Sequence, residues 1–168
     1  PVLSAQALSF DDGQFLTNNP LVRNPSWTSA GRFLTEVLDP STVEGYYLPL
    51  SMISLMLDCA AGGRPDNLAP FHRTSLALHV ANTALVIVLL YALFGSPWPA
   101  AMAGLLFGVH PLTVEPVAWV GERKTLLAAF FALWCLILYV RHARRGGRGS
   151  YAASLLCYVL AVMSKPTA

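Results

Sequence analysis

TSLALHVANTALVIVLLYALF, residues 74–94, holds 21 residues without Asp, Glu, Lys or Arg, and His79 and Asn82 are its main polar interruptions. At a rise of about 1.5 Å per residue the stretch reaches about 31 Å, which matches a bilayer hydrocarbon core of about 30 Å. It reads as a transmembrane helix. The rest of the 168-residue chain agrees with that reading: 55% is hydrophobic and only 12% charged, with a positive mean hydropathy of +0.52. A soluble domain of this size is far less apolar. The formal net charge of +2 and the scatter of the basic residues exclude a nucleic-acid surface.

Downstream, the turn GSPW (95–98) leads into a second apolar run at 97–109, where Ala100, Gly104 and Gly108 recur every fourth residue. Such small-residue spacing lets two helices approach closely. Further apolar runs cover about 121–140 and about 150–165. Between them lies HPLTVEPVAWVGERK (110–124), whose Glu115, Glu122, Arg123 and Lys124 would together cost on the order of 10 kcal/mol at the bilayer centre. Pro111 and Pro116 would also break a continuous helix. The connector therefore belongs at an interface or beside a water-filled cavity.

Upstream, residues 1–45 are polar and turn-rich, with DDGQFLTNNP, RNPSW and DPSTVEG supplying Asp, Asn, Pro and Gly. Residues near 49–61 carry Leu50, Ile53, Leu57 and Ala60 at helical spacing against a polar stripe of Ser51, Ser54 and Asp58. That helix is too short to span and reads as interfacial. The expected fold is an all-α polytopic membrane protein: an extracytoplasmic loop over 1–70, then a region at 71–168 with about four transmembrane helices. Pro1 in place of Met and the absence of a signal-peptide pattern point to an internal piece of a longer chain.

RHARRGGR (141–148) packs four arginines and no acid, whereas the connector balances two glutamates against two cations. The positive-inside rule assigns 141–148 to the cytoplasm. Residues 1–70, the connector and Lys165 then share the outer side.

Several groups on that side carry candidate chemistry. Asp11 and Asp12 suit a general base or, in the plainer reading, an Asx-turn or helix cap. His72, Ser75, His79 and Asn82 share one face of the first span, either for substrate or for helix packing. Arg123 and Lys124 suit a phosphate or an interfacial anchor. His72 and His79 stand about 10 Å apart along a helix, too far for one metal, and Cys59, Cys135 and Cys157 lack ligand spacing. No metal or cofactor is expected.

In order, FDDGQFLTNNPLV, YYLPLSMISLMLD, FHRTSLALHVANT, LFGVHPLTVEPVAWVGERKTLLAAFF and SKP resemble the transmembrane and tetratricopeptide-repeat protein O-mannosyltransferases, here in a bacterial form. The resemblance covers nearly the whole chain and implies a partial GT-C-like helical bundle, with the C-terminal repeat domain absent. It implies transfer of a hexose, mannose in that family, from a polyprenyl-phosphate-linked donor to Ser or Thr of a protein acceptor. The reaction would take place at the periplasmic or exterior face of a multi-pass protein in the bacterial inner membrane.

Asp11 or Asp12 is then the implied base. Arg123, Lys124 and Lys165 would hold the carrier phosphate, while His72, His79, His110 and Glu115 would orient the cations or bind the sugar. Family members commonly carry Asn at the position of Ser75 and Asp at that of Thr125. A non-catalytic scaffold acting through a repeat domain is the alternative reading. A transporter fits less well, since the polar groups gather at one face.

Overall fold

The computed structural model describes residues 13–36, 43 and 46–166. Among these residues the chain is helical and contains no strand. The described residues of the polar start, with the helix that follows, form a small helical cap. After a π-helical turn at Gly13–Thr17 come α1 (Pro20–Arg23), α2 (Trp27–Thr35) and α3 (Pro49–Ala60).

The turn-forming residues of this region serve as helix caps. Asn19 Oδ1 accepts from Leu21 N at 3.1 Å and Val22 N at 3.2 Å. Ser26 Oγ accepts from Ser29 N at 3.0 Å. Each cap satisfies amides that the first helical turn leaves without partners.

Phe15, Leu16, Phe33, Met52 and Leu55 of the cap form one buried apolar cluster, to which Phe71 and Val120 also belong. The cap core thus grips the ends of the long helices. α3 is a helix over the stretch near 49–61 where a short one was expected, and its polar stripe points inward: Ser51 and Asp58 are buried, while Leu57 is 59% exposed.

The long helices follow. α4 (Ala69–Phe94) begins five residues before the apolar run, with proline in its first turn, since Pro is preorganised there. Its end is fixed by Gly95, which adopts φ 71°, a left-handed conformation that favours glycine.

α5 (Pro97–Val109) matches the expected second run. It continues through a short turn that starts at Pro111 into α6 (Val114–Ala118) after a bend of 56°, and Pro116 lies within α6. α7 (Arg123–Arg145) extends past the apolar run through RHARR, whose Arg and Ala are strong helix formers. Gly146, at φ 66°, then turns the chain into α8 (Arg148–Ser164).

Two helical stretches, Ala69–Phe94 and Val120–Arg145, are long and apolar enough to cross a membrane, and the bent α5–α6 pair makes a third if it acts as one span. α8 has 17 residues, about 25 Å of helix. The chain is an all-α polytopic membrane protein.

α4 packs on both α5 and α7, and α7 packs on α8 along their lengths. The small-residue stripe of α5 makes the first of these contacts. A Cβ on Gly104 would overlap Ile87 Cγ1, and one on Gly108 would lie 2.9 Å from Thr83 Cγ2.

Candidate active site

Arg123 is wholly buried, at 0% exposure. Its Nη2 lies 2.8 Å from Asp58 Oδ2 and donates to Phe71 O at 2.6 Å. Nη1 donates to Ser54 Oγ at 2.9 Å, and Nε donates to Ser75 Oγ at 3.2 Å. The other carboxylate oxygen, Asp58 Oδ1, accepts from Thr74 Oγ1 at 2.6 Å.

Ser54 and Asp58 stand one turn apart on α3; Phe71, Thr74 and Ser75 belong to α4. One guanidinium therefore ties three helices together. The cation expected at a carrier phosphate instead spends its donors on protein oxygens in this structure. An unpaired charge at this depth would be costly, so the inward polar stripe of α3 follows from the position of Arg123.

Beside this latch is a second polar chain. Lys165 Nζ donates to Thr125 Oγ1 at 3.0 Å, and Thr125 Oγ1 donates to Glu122 Oε2 at 2.5 Å. Glu122 Oε1 pairs with Lys124 Nζ at 3.2 Å. Lys124 Nζ also stands 4.8 Å above the centre of the Phe15 ring, a cation–π contact with the turn that directly follows Asp11 and Asp12.

Lys165 is positioned from α3 as well, because Ser51 Oγ donates to Ser164 O at 2.9 Å. Lys124 meets the Glu122 carboxylate directly and Lys165 reaches it only through Thr125, so among these described residues two cations stand against one anion. Such an arrangement favours an anion.

The remaining candidates divide. Of the polar face of α4, Ser75 serves Arg123, His79 Nε2 lies 2.9 Å from Gly108 O of α5, and Asn82 Nδ2 donates to Leu126 O of α7 at 3.0 Å. Those three side chains join helices. His72 differs: it is 1% exposed, and neither ring nitrogen has a hydrogen-bond partner.

His110 caps the connector, its Nδ1 accepting from Leu112 N at 3.3 Å. Glu115 is exposed. Neither residue bonds Arg123, Lys124 or Lys165 among the described contacts. Asp11 and Asp12 lie outside the described residues.

Among the described residues no three His, Cys, Asp or Glu side chains gather to hold a metal ion. Burial pushes the Cys59 thiol above its ordinary range; Asp58 adds to the rise and Arg23 opposes it. That makes it a poor nucleophile. Asp58 and Thr125 were absent from the expected site, and their sequence signals were the Ser51–Ser54–Asp58 stripe and the Thr next to Arg-Lys.

No protein-family model matches the chain, and no solved structure does. Curated proteins do. The chain is 33% identical over 147 residues to protein O-mannosyl-transferase TMTC2 of Mus musculus, covering 86% of this chain and 17% of that protein. It is 33% identical over 139 residues to Tmtc2 of Drosophila melanogaster, covering 78% and 14%. With TMTC4 of Homo sapiens it shares 26% over 171 residues, covering 91% and 23%. The chain thus spans less than a quarter of the length of these relatives.

Proposed function

We propose that this chain belongs to the transmembrane and tetratricopeptide-repeat protein O-mannosyltransferases and forms the donor-side part of a GT-C-type membrane glycosyltransferase. The observation that carries this reading is the Lys165–Thr125–Glu122–Lys124 chain beside Phe15, in a sequence whose relatives bear the name protein O-mannosyl-transferase. The substrates are a polyprenyl-phosphate-linked hexose, mannose by the relatives' name, and the hydroxyl of a protein Ser or Thr. The reaction side is extracytoplasmic, the periplasm or exterior of a bacterial inner membrane.

The chemistry follows from the charges. Asp11 or Asp12, directly before the turn that carries Phe15, takes the proton of the acceptor hydroxyl as its oxygen attacks the anomeric carbon. The bond from that carbon to the carrier phosphate breaks with inversion, and negative charge grows on the phosphate. Lys124 and Lys165 stabilise that charge, while Glu122 and Thr125 fix where the two ammonium groups stand.

Arg123 acts one step back, holding the start of α7 through Asp58. His72, with its nitrogens uncommitted, is available to a sugar hydroxyl or phosphate oxygen. A buried polar group without a partner calls for such an explanation.

The test is transfer of labelled sugar from polyprenyl-phosphate donors to Ser/Thr peptides by the full-length protein. One of Asp11→Asn and Asp12→Asn is expected to lower kcat by about 10²–10⁴ with donor KM unchanged. Lys124→Ala and Lys165→Ala are each expected to lower kcat/KM for the donor by about 10²–10³. Full activity in the double aspartate variant would remove the base assignment. No transfer by the wild-type protein with any donor would favour the scaffold reading.

A further inference from the structure

The far end of α7 holds a different site. From Arg123 to Arg145 the helix runs 23 residues, about 35 Å, so this end lies a membrane thickness away from the lysines. Here α7 and the last turns of α4 line an open cleft of about 380 Å³. Val88, Tyr91, Ile137 and Val140 form its apolar wall. Arg141, Arg144 and Arg145 line it as well.

Of these cations, Arg144 donates through Nη2 to Leu93 O at 3.1 Å, meeting a carbonyl in the last turn of α4. Arg141 and Arg145 are exposed and have no hydrogen bond or ion pair among the described contacts. Among the described residues no carboxylate lines the cleft. The chain's nine acids all precede Arg123, and none lies between Asp66 and Glu115, so α4, α5, α7 and α8 contain no acid.

The C-termini of α4 and α7 each contribute about half a negative charge, which is less than the positive charge of three guanidiniums. An uncompensated cation cluster beside an apolar wall matches one ligand chemistry, a phosphate joined to hydrocarbon. Exposed aromatics mark the same end as a membrane boundary: Tyr91 is 53% exposed, Trp98 80% and Tyr139 53%.

We propose that this cleft binds the headgroup phosphate of an anionic phospholipid, with Arg141 and Arg145 on the phosphate oxygens and the first acyl methylenes along Val88, Ile137 and Val140. Guanidinium suits this task because its planar N–H fork matches phosphate oxygens in pairs. Basic pockets between membrane helices take anionic headgroups in this way. Arg144, held by Leu93 O, sets the width of the cleft.

Native mass spectrometry of the full-length protein in detergent, with equal phosphatidylglycerol and phosphatidylcholine, tests the site. Wild type is expected to retain phosphatidylglycerol about tenfold over phosphatidylcholine. Arg141→Gln with Arg145→Gln is expected to bring the two lipids to parity, and Arg145→Gln alone, at the last residue of α7, to halve the preference or more. Arg73→Gln, at the opposite end of α4, is expected to leave it unchanged.

Equal retention by wild type, or a preference that survives the double variant, overturns the proposal. A parallel titration with inorganic phosphate separates the two sources of the same chemistry. Thermal protection by inorganic phosphate in wild type but not in the double variant, without phosphatidylglycerol preference, would assign the cleft to free phosphate and remove the lipid.

Discussion

Leu55 in α3 and Leu106 in α5 are the same side chain in opposite circumstances: the first is 0% exposed and the second 64%. The cap around Leu55 is built as a water-soluble protein is, with an apolar cluster inside and Arg32 and Arg64 outside. The spans reverse this arrangement. His72, Ser75 and Asn82 are buried at 1%, 0% and 1%, while Val80, Leu105 and Leu106 face out at 60%, 56% and 64%.

Each region hides what its own solvent rejects. Lipid tails do not drive apolar groups together, so the contacts between spans come from close packing and hydrogen bonds. Only 17% and 11% of the two best spanning windows are buried inside the protein. The Asp58–Arg123 pair sits where the two regimes meet, and it is held by atoms from both.

The largest expected effect therefore falls on that junction. Arg123→Ala or Asp58→Ala leaves one buried charge unpaired, a loss of about 3–5 kcal/mol of stability. Thermal unfolding of the full-length protein in detergent measures it. Replacing the pair together, Asp58→Leu with Arg123→Met, is expected to recover most of the loss, because two apolar groups leave no orphan charge. A double variant no better than the singles would mean that the junction depends on the serine and carbonyl contacts rather than on the charges.

The comparison itself breaks or holds on the two leucines. Leu55→Ala opens a cavity in the cap core and is expected to cost about 2–5 kcal/mol. Leu106→Ala removes no packed contact of the same kind and is expected to stay within about 0.5 kcal/mol. Similar losses at both positions in one detergent would show that α5 is covered by protein at Leu106, and the inside-out description of the spans would fail there.

How far the sequence revealed this follows from the range of each interaction. Spans over α4 and α7 were legible because hydropathy is a property of consecutive residues, and the shared face of His72, Ser75, His79 and Asn82 because helical period is too. Helix ends were less legible: α4 starts at Ala69 and α7 continues to Arg145, since charge ends an apolar run without ending a helix.

Which face of α3 turns inward was not legible in its own residues, for a physical reason. Arg123, far along the chain, takes Asp58 and Ser54 as partners, and that turns the polar stripe inward. Pairing across such a distance leaves no local pattern. The lysine chain depended likewise on Thr125, a residue with no charge of its own to draw notice. Asp11 and Asp12 fall outside the described residues, so the proposed base rests on sequence order and resemblance.

The smallest expected effect tests what the buried polar face of α4 contributes. Asn82 donates to Leu126 O at 3.0 Å, and its own Oδ1 has no partner. In a water-soluble core a half-satisfied amide would be a liability to folding. Between membrane helices the same bond is worth about 0.6 kcal/mol on average and about 1.7 at most. Asn82→Ala is thus expected to lower stability by about 1 kcal/mol, well below the loss at Leu55, and to leave sugar transfer within a factor of about two. A larger fall in transfer at unchanged thermal stability would instead place Asn82 at the substrate, and the buried face of α4 would belong to the site as well as to the bundle.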